Sequence, residues 1–272
     1  MAENRAFRHH VENIDGYVLE YPNIGVDADL IQGYPPNPYA CTKGQEFPLG
    51  TKLIQGERVW RYCQADSTEI AIGKVLQSPA LNHASQGVDI KCNAIAAIGA
   101  TEVQVRSTAN IDTGRLAELD GLAEGYFVVT DGAGQGQCYK IKGNDIFATT
   151  GTPWIRLYDP LTVATAVLTS KCGIIENPYS HVVVSAAVCT AMVVGVAPIT
   201  VTASYYFWSQ TGGPAGVIAG GTMVVGTWAI VGTNAGTAGP AAALTTEVVI
   251  GYPITKCDTA TETFACFLTL DR

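Results

Sequence analysis

The residues that could support chemistry are few and lack the spacing that most reactions need. Asp112-Thr113-Gly114 matches a proteolytic motif that requires two carboxylates sharing one proton. The chain has no second Asp-Thr-Gly or Asp-Ser-Gly, so Asp112 is better interpreted as a helix N-cap. Gly132–Gly136 lacks the spacing, the lysine and the following helix of a phosphate loop, and it predicts a hairpin turn.

Histidine and cysteine patterns give no metal site. The four histidines, His9, His10, His83 and His181, show no H-x-x-x-H spacing, and none of the eight cysteines forms Cys-x-x-Cys. We therefore expect no metal, no cofactor and no catalytic residue, with the thiols free and packed as small apolar groups. A Ser–His or Cys–His dyad is left open, because such partners meet only in space.

Charge excludes further classes of function. The net charge is −8, the sequence pI is about 4.9 and no basic run occurs, which argues against nucleic acid as a partner. Residues 177–246 contain no Asp, Glu, Lys or Arg. Val182–Val201 is long enough to cross a membrane, but Gly195 and Pro198 interrupt it and no basic loop flanks it. We expect no membrane insertion and, since Met1–His10 is polar, no secretion signal.

Short β-branched runs separated by glycine predict an all-β chain. The pattern favours short antiparallel strands in one or two sandwich-like or barrel-like units with an extended N-terminal arm. The changes in composition suggest an arm over 1–48, a β domain over 49–176 and a charge-poor β domain over 177–272; the alternative is that the last two form one continuous unit. Cys92–Ile98 is among the predicted strands, and glycine-rich turns are expected within Gly212–Ala243.

Aromatic side chains suggest where partners bind. The proline-rich arm carries tyrosines that could anchor it on a neighbouring subunit, and Tyr205–Trp208 is an uncharged strand of four consecutive aromatics. The alternative for that strand is burial on both faces of a sandwich. The candidate interface residues are Arg8, His9, Tyr17, Tyr21, Tyr34, Tyr39, Tyr205, Tyr206, Phe207 and Trp208.

Several stretches, taken in order, resemble structural proteins of tailed bacteriophages of the capsid decoration or cement type. The stretches are Phe47–Ala65 with Gly73–Pro79, Gly125–Gly132 with Gly136–Ile141, Leu157–Leu161 with Asn177–Tyr179, and Tyr205–Gly221 with Met223–Thr227 and the Gly232–Ala243 turn. Each is a loose pattern of turn and strand residues, and together they cover most of residues 45–250.

The resemblance implies a non-enzymatic virion protein that binds the outer face of the capsid. It would clamp neighbouring major capsid subunits as a homotrimer, after synthesis in the host cytoplasm, and would stabilise the shell. The alternative is a head-fibre or tail-associated module that binds the host surface. An acidic, β-rich chain with an aromatic strand is compatible with either role.

Overall fold

The structure, a computed structural model, describes residues 11–14, 17–20, 36–81, 84–107, 114–241 and 247–271. The chain divides into two compact units. Unit 1 combines residues 1–80 with 178–272, and unit 2 is the single stretch 81–177. Each unit has its own antiparallel sheet, and the prediction of an all-β fold is confirmed.

Unit 1 holds thirteen strands among the described residues. The strands before unit 2 are β1 Val11–Ile14, β2 Tyr17–Glu20, β3 Cys41–Thr42, β4 Lys52–Gln55, β5 Arg58–Gln64 and β6 Val75–Gln77. Those after it are β13 Val183–Val184, β14 Val193–Val196, β15 Tyr206–Ile218, β16 Ala229–Val231, β17 Ala238–Pro240, β18 Val249–Pro253 and β19 Thr263–Thr269. The main path runs β1-β2-β4-β5-β15-β19-β18-β16-β17, and β3, β6, β13 and β14 join beside it.

The thirteen-residue strand β15 is the centre of unit 1, since β3, β5, β14 and β19 all pair with it. The turn expected at Gly212-Gly213-Pro214 is wrong, because β15 continues through these residues. A bulge between Gln210 and Gly212 accommodates one extra residue of β15 in its pairing with β5, and Gly213 takes a φ of +75°. The Gln210 side-chain amide donates to the carbonyls of Gly212 and Pro214 at 3.0 and 2.8 Å, which satisfies groups that the bulge removes from the ladder.

The described parts of residues 1–48 also differ from a free arm. The β1–β2 hairpin continues the sheet through β2 and β4, in the register Val18↔Ile54, and β3 pairs with β15. Backbone pairing therefore ties these segments to unit 1 of the same chain.

Unit 2 is a six-stranded sheet that closes on itself. Its strands are β7 Ile90–Lys91, β8 Glu102–Gln104, β9 Tyr126–Asp131, β10 Cys138–Asn144, β11 Trp154–Leu157 and β12 Lys171–Ile175, in the order β7-β12-β9-β10-β11-β8. The two outer strands meet through Arg106 N–H to Lys91 O and Asn93 N–H to Gln104 O, both 2.8 Å. The result is a small barrel filled by buried side chains that include Phe127, Ile141 and Ile155.

Helix is scarce among the described residues. A five-residue helix α1, Ala84–Val88, precedes β7, and a 3₁₀-helix spans Gly114–Ala117. Asp112, expected to cap a helix here, lies outside the described residues. In the part of the chain that the structure describes, no helix is both long and apolar enough to cross a membrane.

Unit 2 is inserted between two strands of unit 1 that are hydrogen-bonded neighbours. β6 and β13 pair antiparallel, in the register Val183↔Gln77 and Val184↔Leu76, and unit 2 occupies the connection between them. Its own first and last strands, β7 and β12, are likewise paired. The composition-based boundary between 176 and 177 falls beside the second junction at Asn177/Pro178, and residues 49–80 group with 178–272.

Candidate binding surfaces

The arm residues proposed as anchors are only partly described. Arg8, His9, Tyr21 and Tyr34 lie outside the described residues. Tyr17 lies in β2, inside the sheet of unit 1. Tyr39 is 51% exposed, and its hydroxyl accepts a hydrogen bond from Arg58 at 2.7 Å. Tyr39 is therefore held on the surface of unit 1, where its ring remains accessible.

The aromatic strand is mainly core. Phe207 is fully buried and Trp208 is 3% exposed. Trp208 packs on Phe47 and Tyr62, with ring centroids 5.3 and 5.0 Å apart. The structure removes Phe207 and Trp208 from the candidate interface, because these side chains fill the two opposite faces of β15 within unit 1.

The two tyrosines before them are partly exposed. Tyr206 stacks on Tyr62 at 5.9 Å with an interplanar angle of 11°, and Tyr205 packs at the margin of a core cluster. Burial raises the pKa of Tyr62 to about 12, and its hydroxyl accepts from the Glu46 N–H at 3.0 Å. Tyr206 thus covers a buried aromatic cluster and leaves one edge at the surface.

Ser180 and His181 are in contact, and a serine–histidine pair was one of the possibilities that the sequence left open. Ser180 Oγ lies 2.6 Å from His181 Nδ1, and His181 takes a φ of +48°. Ser180 is 5% exposed, so its hydroxyl lies out of reach of a substrate. The contact stabilises the turn that leads into β13. Among the described residues, no group of three His, Cys, Asp or Glu side chains is placed to hold a metal ion.

The most distinctive surface of unit 2 is one end of its barrel. Because the strands alternate in direction around the barrel, the β7–β8, β9–β10 and β11–β12 connections all emerge at the same end. Hydrogen bonds between the loops agree: Gln137 contacts the Val163 carbonyl at 3.3 Å, and Ser170 Oγ donates to the Ala133 carbonyl at 2.8 Å. The chain enters and leaves unit 2 at the opposite end.

All three loops at this end are uncharged. Residues 92–101, 132–137 and 160–170 contain no Asp, Glu, Lys or Arg. The first and third loops run antiparallel, with Thr165 N–H donating to Ala96 O at 3.0 Å and Gly99 N–H donating to Leu161 O at 2.8 Å. This pairing fixes the loops as one surface.

Large aliphatic side chains project from these loops. Five of them are 43 to 70% exposed, and we call this set the apolar loop surface: Ile95, Ile98, Val163, Val167 and Leu168. Leu168 holds a φ of +56°, an unfavourable conformation for a branched side chain. Exposed aliphatic side chains gathered on one end of a barrel commonly mark a surface that binds a partner.

Charged residues lie at the strand ends that border these loops. Lys91, Glu102, Asp131 and Lys171 flank the loops, and Lys171 Nζ lies 3.0 Å from Asp89 Oδ1. Asp159 stands just before the third loop, and partial burial raises the pKa of its carboxyl. An uncharged centre with charges at its margin is the usual anatomy of a protein interface.

The sequence pattern missed this surface because Cys92–Ile98 was predicted to be a strand. That prediction is wrong: the segment is a loop that leaves Ile95 and Ile98 outside the barrel. The uncharged runs 92–101 and 160–170 are visible in the sequence, but they do not single out this surface, because 30–42, 75–88 and 146–155 are also uncharged runs of at least ten residues. The sequence pattern does not show that the barrel of unit 2 closes and brings the three loops together.

The comparisons with known proteins leave the family open: the chain matches no family model, and no curated protein or solved structure is significantly similar to it.

Proposed function

We propose that this chain is a virion structural protein that binds the outer surface of a phage capsid. In this role it clamps neighbouring major capsid subunits, acts without catalysis or cofactor, and stabilises the shell. The order of strand and turn motifs along the chain suggests the setting. The observation that best supports a role in protein binding is the apolar loop surface at one end of the unit 2 barrel.

The physical argument for a protein partner rests on composition and order. Fully burying an aliphatic side chain contributes about 1.5–3 kcal/mol, so even partial burial of five exposed residues favours association. Antiparallel hydrogen bonds hold the loops in place before binding, which reduces the ordering cost. Many copies bound to one shell, each as a homotrimer of this chain, would turn modest affinity at each site into strong retention.

Charge also fits a capsid as the partner. A net charge of −8 opposes binding to the packaged nucleic acid, whereas an uncharged contact surface can meet protein without desolvating ion pairs. The proposed setting is therefore the capsid exterior, after synthesis in the host cytoplasm.

The test is binding of purified protein to capsids that lack it. Ile98→Asp places a charge within the apolar loop surface, where Ile98 is 70% exposed and contributes little to folding. We expect occupancy to fall at least tenfold, since burying an unpaired carboxylate at an interface costs more than about 1.4 kcal/mol. Leu119→Asp is the matched control, because Leu119 is 64% exposed and lies towards the other end of the same barrel.

Particle heat stability provides the second measurement. Capsids carrying the protein should release their genome at a higher temperature than capsids without it, and Ile98→Asp should remove that difference. Equal occupancy for Ile98→Asp and the unchanged protein would contradict the assigned surface. Capsids that are equally heat-stable with and without the protein would contradict the shell-stabilising function.

A further inference from the structure

Two buried cysteines of unit 2 lie on the same face of a pair of strands. Cys172 of β12 lies opposite Ile90 of β7, and Cys92 follows Ile90 by two residues. The Cys92 N–H donates to the Ser170 carbonyl at 3.0 Å, so the pairing of the two segments continues as far as Cys92. Alternation along a strand points Ile90 and Cys92 to the same side, and both pack with Cys172 in the core of the barrel. Cys92 and Cys172 are therefore diagonal neighbours across the β7–β12 pair.

Hydrogen bonds bring the two thiols together. The Cys172 thiol donates to the Ile90 carbonyl at 3.1 Å, which holds its sulfur against the segment that leads into Cys92. The side chains of Cys172 and Cys92 are also hydrogen-bonded to each other. A register shift between Lys171 and Cys172, in the pairing of β12 with β9, leaves this strand end room to adjust. Side-chain rotation with a small shift of that end can bring the sulfur atoms to the S–S bond length of about 2.05 Å.

The two thiols differ in reactivity. The hydrogen bond from Cys172 stabilises a thiolate on Cys92 and lowers the pKa of the Cys92 thiol. Burial raises the pKa of Cys172, so Cys172 keeps its proton. A thiolate is the nucleophilic form of cysteine, and a low-pKa cysteine beside a second thiol is the arrangement of a redox-sensitive cysteine and its resolving partner.

Both sulfur atoms are enclosed, and this limits the oxidant that can reach them. Cys92 and Cys172 are fully buried. They lie at the loop end of the barrel, and strand ends open more readily than strand centres. A water-sized oxidant such as hydrogen peroxide can therefore enter on a local opening, whereas a bulky disulfide needs the barrel to open much further.

We propose that Cys92 and Cys172 form a reversible disulfide when the protein meets hydrogen peroxide. The Cys92 thiolate attacks one oxygen of the peroxide, the O–O bond breaks and hydroxide leaves, which gives a sulfenic acid on Cys92. The Cys172 thiol then attacks this sulfur, gives up its proton and displaces the hydroxyl group as water. Two electrons pass from the thiols to the peroxide, and the products are one disulfide and two molecules of water once the hydroxide has taken up a proton.

The new bond would join the bases of two loops that carry the apolar loop surface. The Cys92 carbonyl accepts a hydrogen bond from the Leu168 N–H at 2.8 Å, and the Cys92 side chain is hydrogen-bonded to Thr165. A covalent link between residues 92 and 172 would resist opening of the barrel, because it constrains a long stretch of the unfolded chain. The chemistry depends only on the barrel and holds whether or not a capsid is the partner.

The experiment is peroxide treatment of the folded full chain, followed by alkylation in denaturant and mass spectrometry. Cys138→Ser serves as the parent, because the exposed Cys138 thiol would otherwise react between molecules. We expect the mass to fall by about 2 Da and a non-reduced digest to contain Cys92 linked to Cys172, with both thiols restored by dithiothreitol. Cys63 and Cys266 are internal controls: both are fully buried and should remain fully alkylated.

Two variants of this parent test the separate roles of the thiols. In Cys172→Ser the sulfenic acid on Cys92 has no resolving thiol, so dimedone added with the denaturant should label Cys92. In Cys92→Ser no dimedone adduct should form on Cys172. The parent itself should unfold at a higher urea concentration after peroxide treatment, and dithiothreitol should return the midpoint to its starting value.

Three outcomes would overturn the proposal. One is full alkylation of Cys92 and Cys172 after peroxide treatment. Another is a link from either of them to a different cysteine. The third is a dimedone adduct on Cys172 in Cys92→Ser with none on Cys92 in Cys172→Ser. The linkage in the parent decides the first two outcomes even if a serine variant fails to fold. Ile98→Asp should oxidise as the parent does, so failure of the capsid proposal and failure of this one are distinguishable.

Discussion

Arg61 and Asp271 connect the middle of β5 to the segment after β19 through two parallel hydrogen bonds of 2.5 and 2.9 Å. Their side chains are 24 and 21% exposed, so water screens the pair only partly. Arg61 also donates to the Gly50 carbonyl at 2.9 Å, and Thr211 Oγ1 lies 3.3 Å from Asp271. The pair thereby fastens three segments of unit 1 that are distant in sequence.

Asp271→Asn should lower the free energy of unfolding by about 1–2 kcal/mol at pH 7, because it removes the charge-assisted part of this contact. Urea denaturation of both proteins measures the difference. Asp258→Asn is the control, since Asp258 pairs with Lys256 at a site where both side chains are at least 70% exposed. Equal losses in the two variants would show that Arg61–Asp271 is no more than a surface ion pair.

The same contact should make stability depend on pH. Burial alone would raise the pKa of Asp271, but the hydrogen bond and charge of Arg61 outweigh burial and lower it. A lowered pKa in the folded state stabilises the protein above the unfolded value of about 3.9, and the contribution disappears as the pH falls through the folded value. The stability difference between the native protein and Asp271→Asn should therefore be full at pH 6 and shrink below about pH 4.

Replacing residues 81–177 by a short Gly/Ser linker should leave unit 1 folded. The junctions flank β6 and β13, which are already paired, so the linker closes a hairpin and breaks no strand. Circular dichroism should show β structure, and thermal unfolding should remain cooperative. Removing only 81–125 is the control, because it deletes β7 and β8 and opens the barrel; a folded control beside an unfolded linker variant would reverse this interpretation.

Phe207→Ala should reduce the free energy of unfolding by about 3–5 kcal/mol, the usual cost of removing a fully buried aromatic ring. Tyr39→Ala should reduce it by about 1 kcal/mol or less, because Tyr39 is exposed and loses mainly its hydrogen bond to Arg58. Denaturant titration of both variants checks this order. If Phe207→Ala were as stable as the native protein, Phe207 would have to be returned to the candidate interface.

The sequence was informative where one strand contacts its immediate neighbour. The hairpin predicted around Gly132–Gly136 is present as β9 and β10, and β4 and β5 form a second hairpin through a turn at Gly56-Glu57. Local alternation and turn chemistry determine such pairs. The sequence pattern ended the predicted strand before Gly212-Gly213-Pro214. It does not show the shift in the pairing of β15 with β5, nor the hydrogen bonds from the Gln210 side chain to the carbonyls of Gly212 and Pro214, with which β15 continues.

Exposed side chains from distant strands meet only through non-local pairing, which sequence periodicity does not show. Trp228, Tyr252 and Phe267 form a row only because β16, β18 and β19 are adjacent in one register. The apolar loop surface requires closure of the barrel through residues 91–106. In contrast, the burial of Phe207 and Trp208 was one of the two alternatives that alternation along the strand allowed.

Cys138 should react with a thiol reagent first, because its side chain is exposed at the start of β10. Cys63 and Cys266 should react only on unfolding, since both are fully buried. Burial raises the pKa of Cys266 to about 12 and raises that of Cys63 further, which suppresses the reactive thiolate. Labelling with and without denaturant measures the phases, and Cys138→Ser should remove the fast one; rapid native labelling of Cys266 would contradict its burial.

The insertion of unit 2 also sets an order of events during synthesis. Unit 2 is one contiguous segment and can close its barrel as soon as residue 177 has left the ribosome. β5 must wait longer, because its partner β15 is translated only after the whole of unit 2. During that interval the apolar strand around Trp60 has an open edge, so the nascent chain is most prone to aggregation before β15 arrives, and a slower ribosome would prolong that exposure.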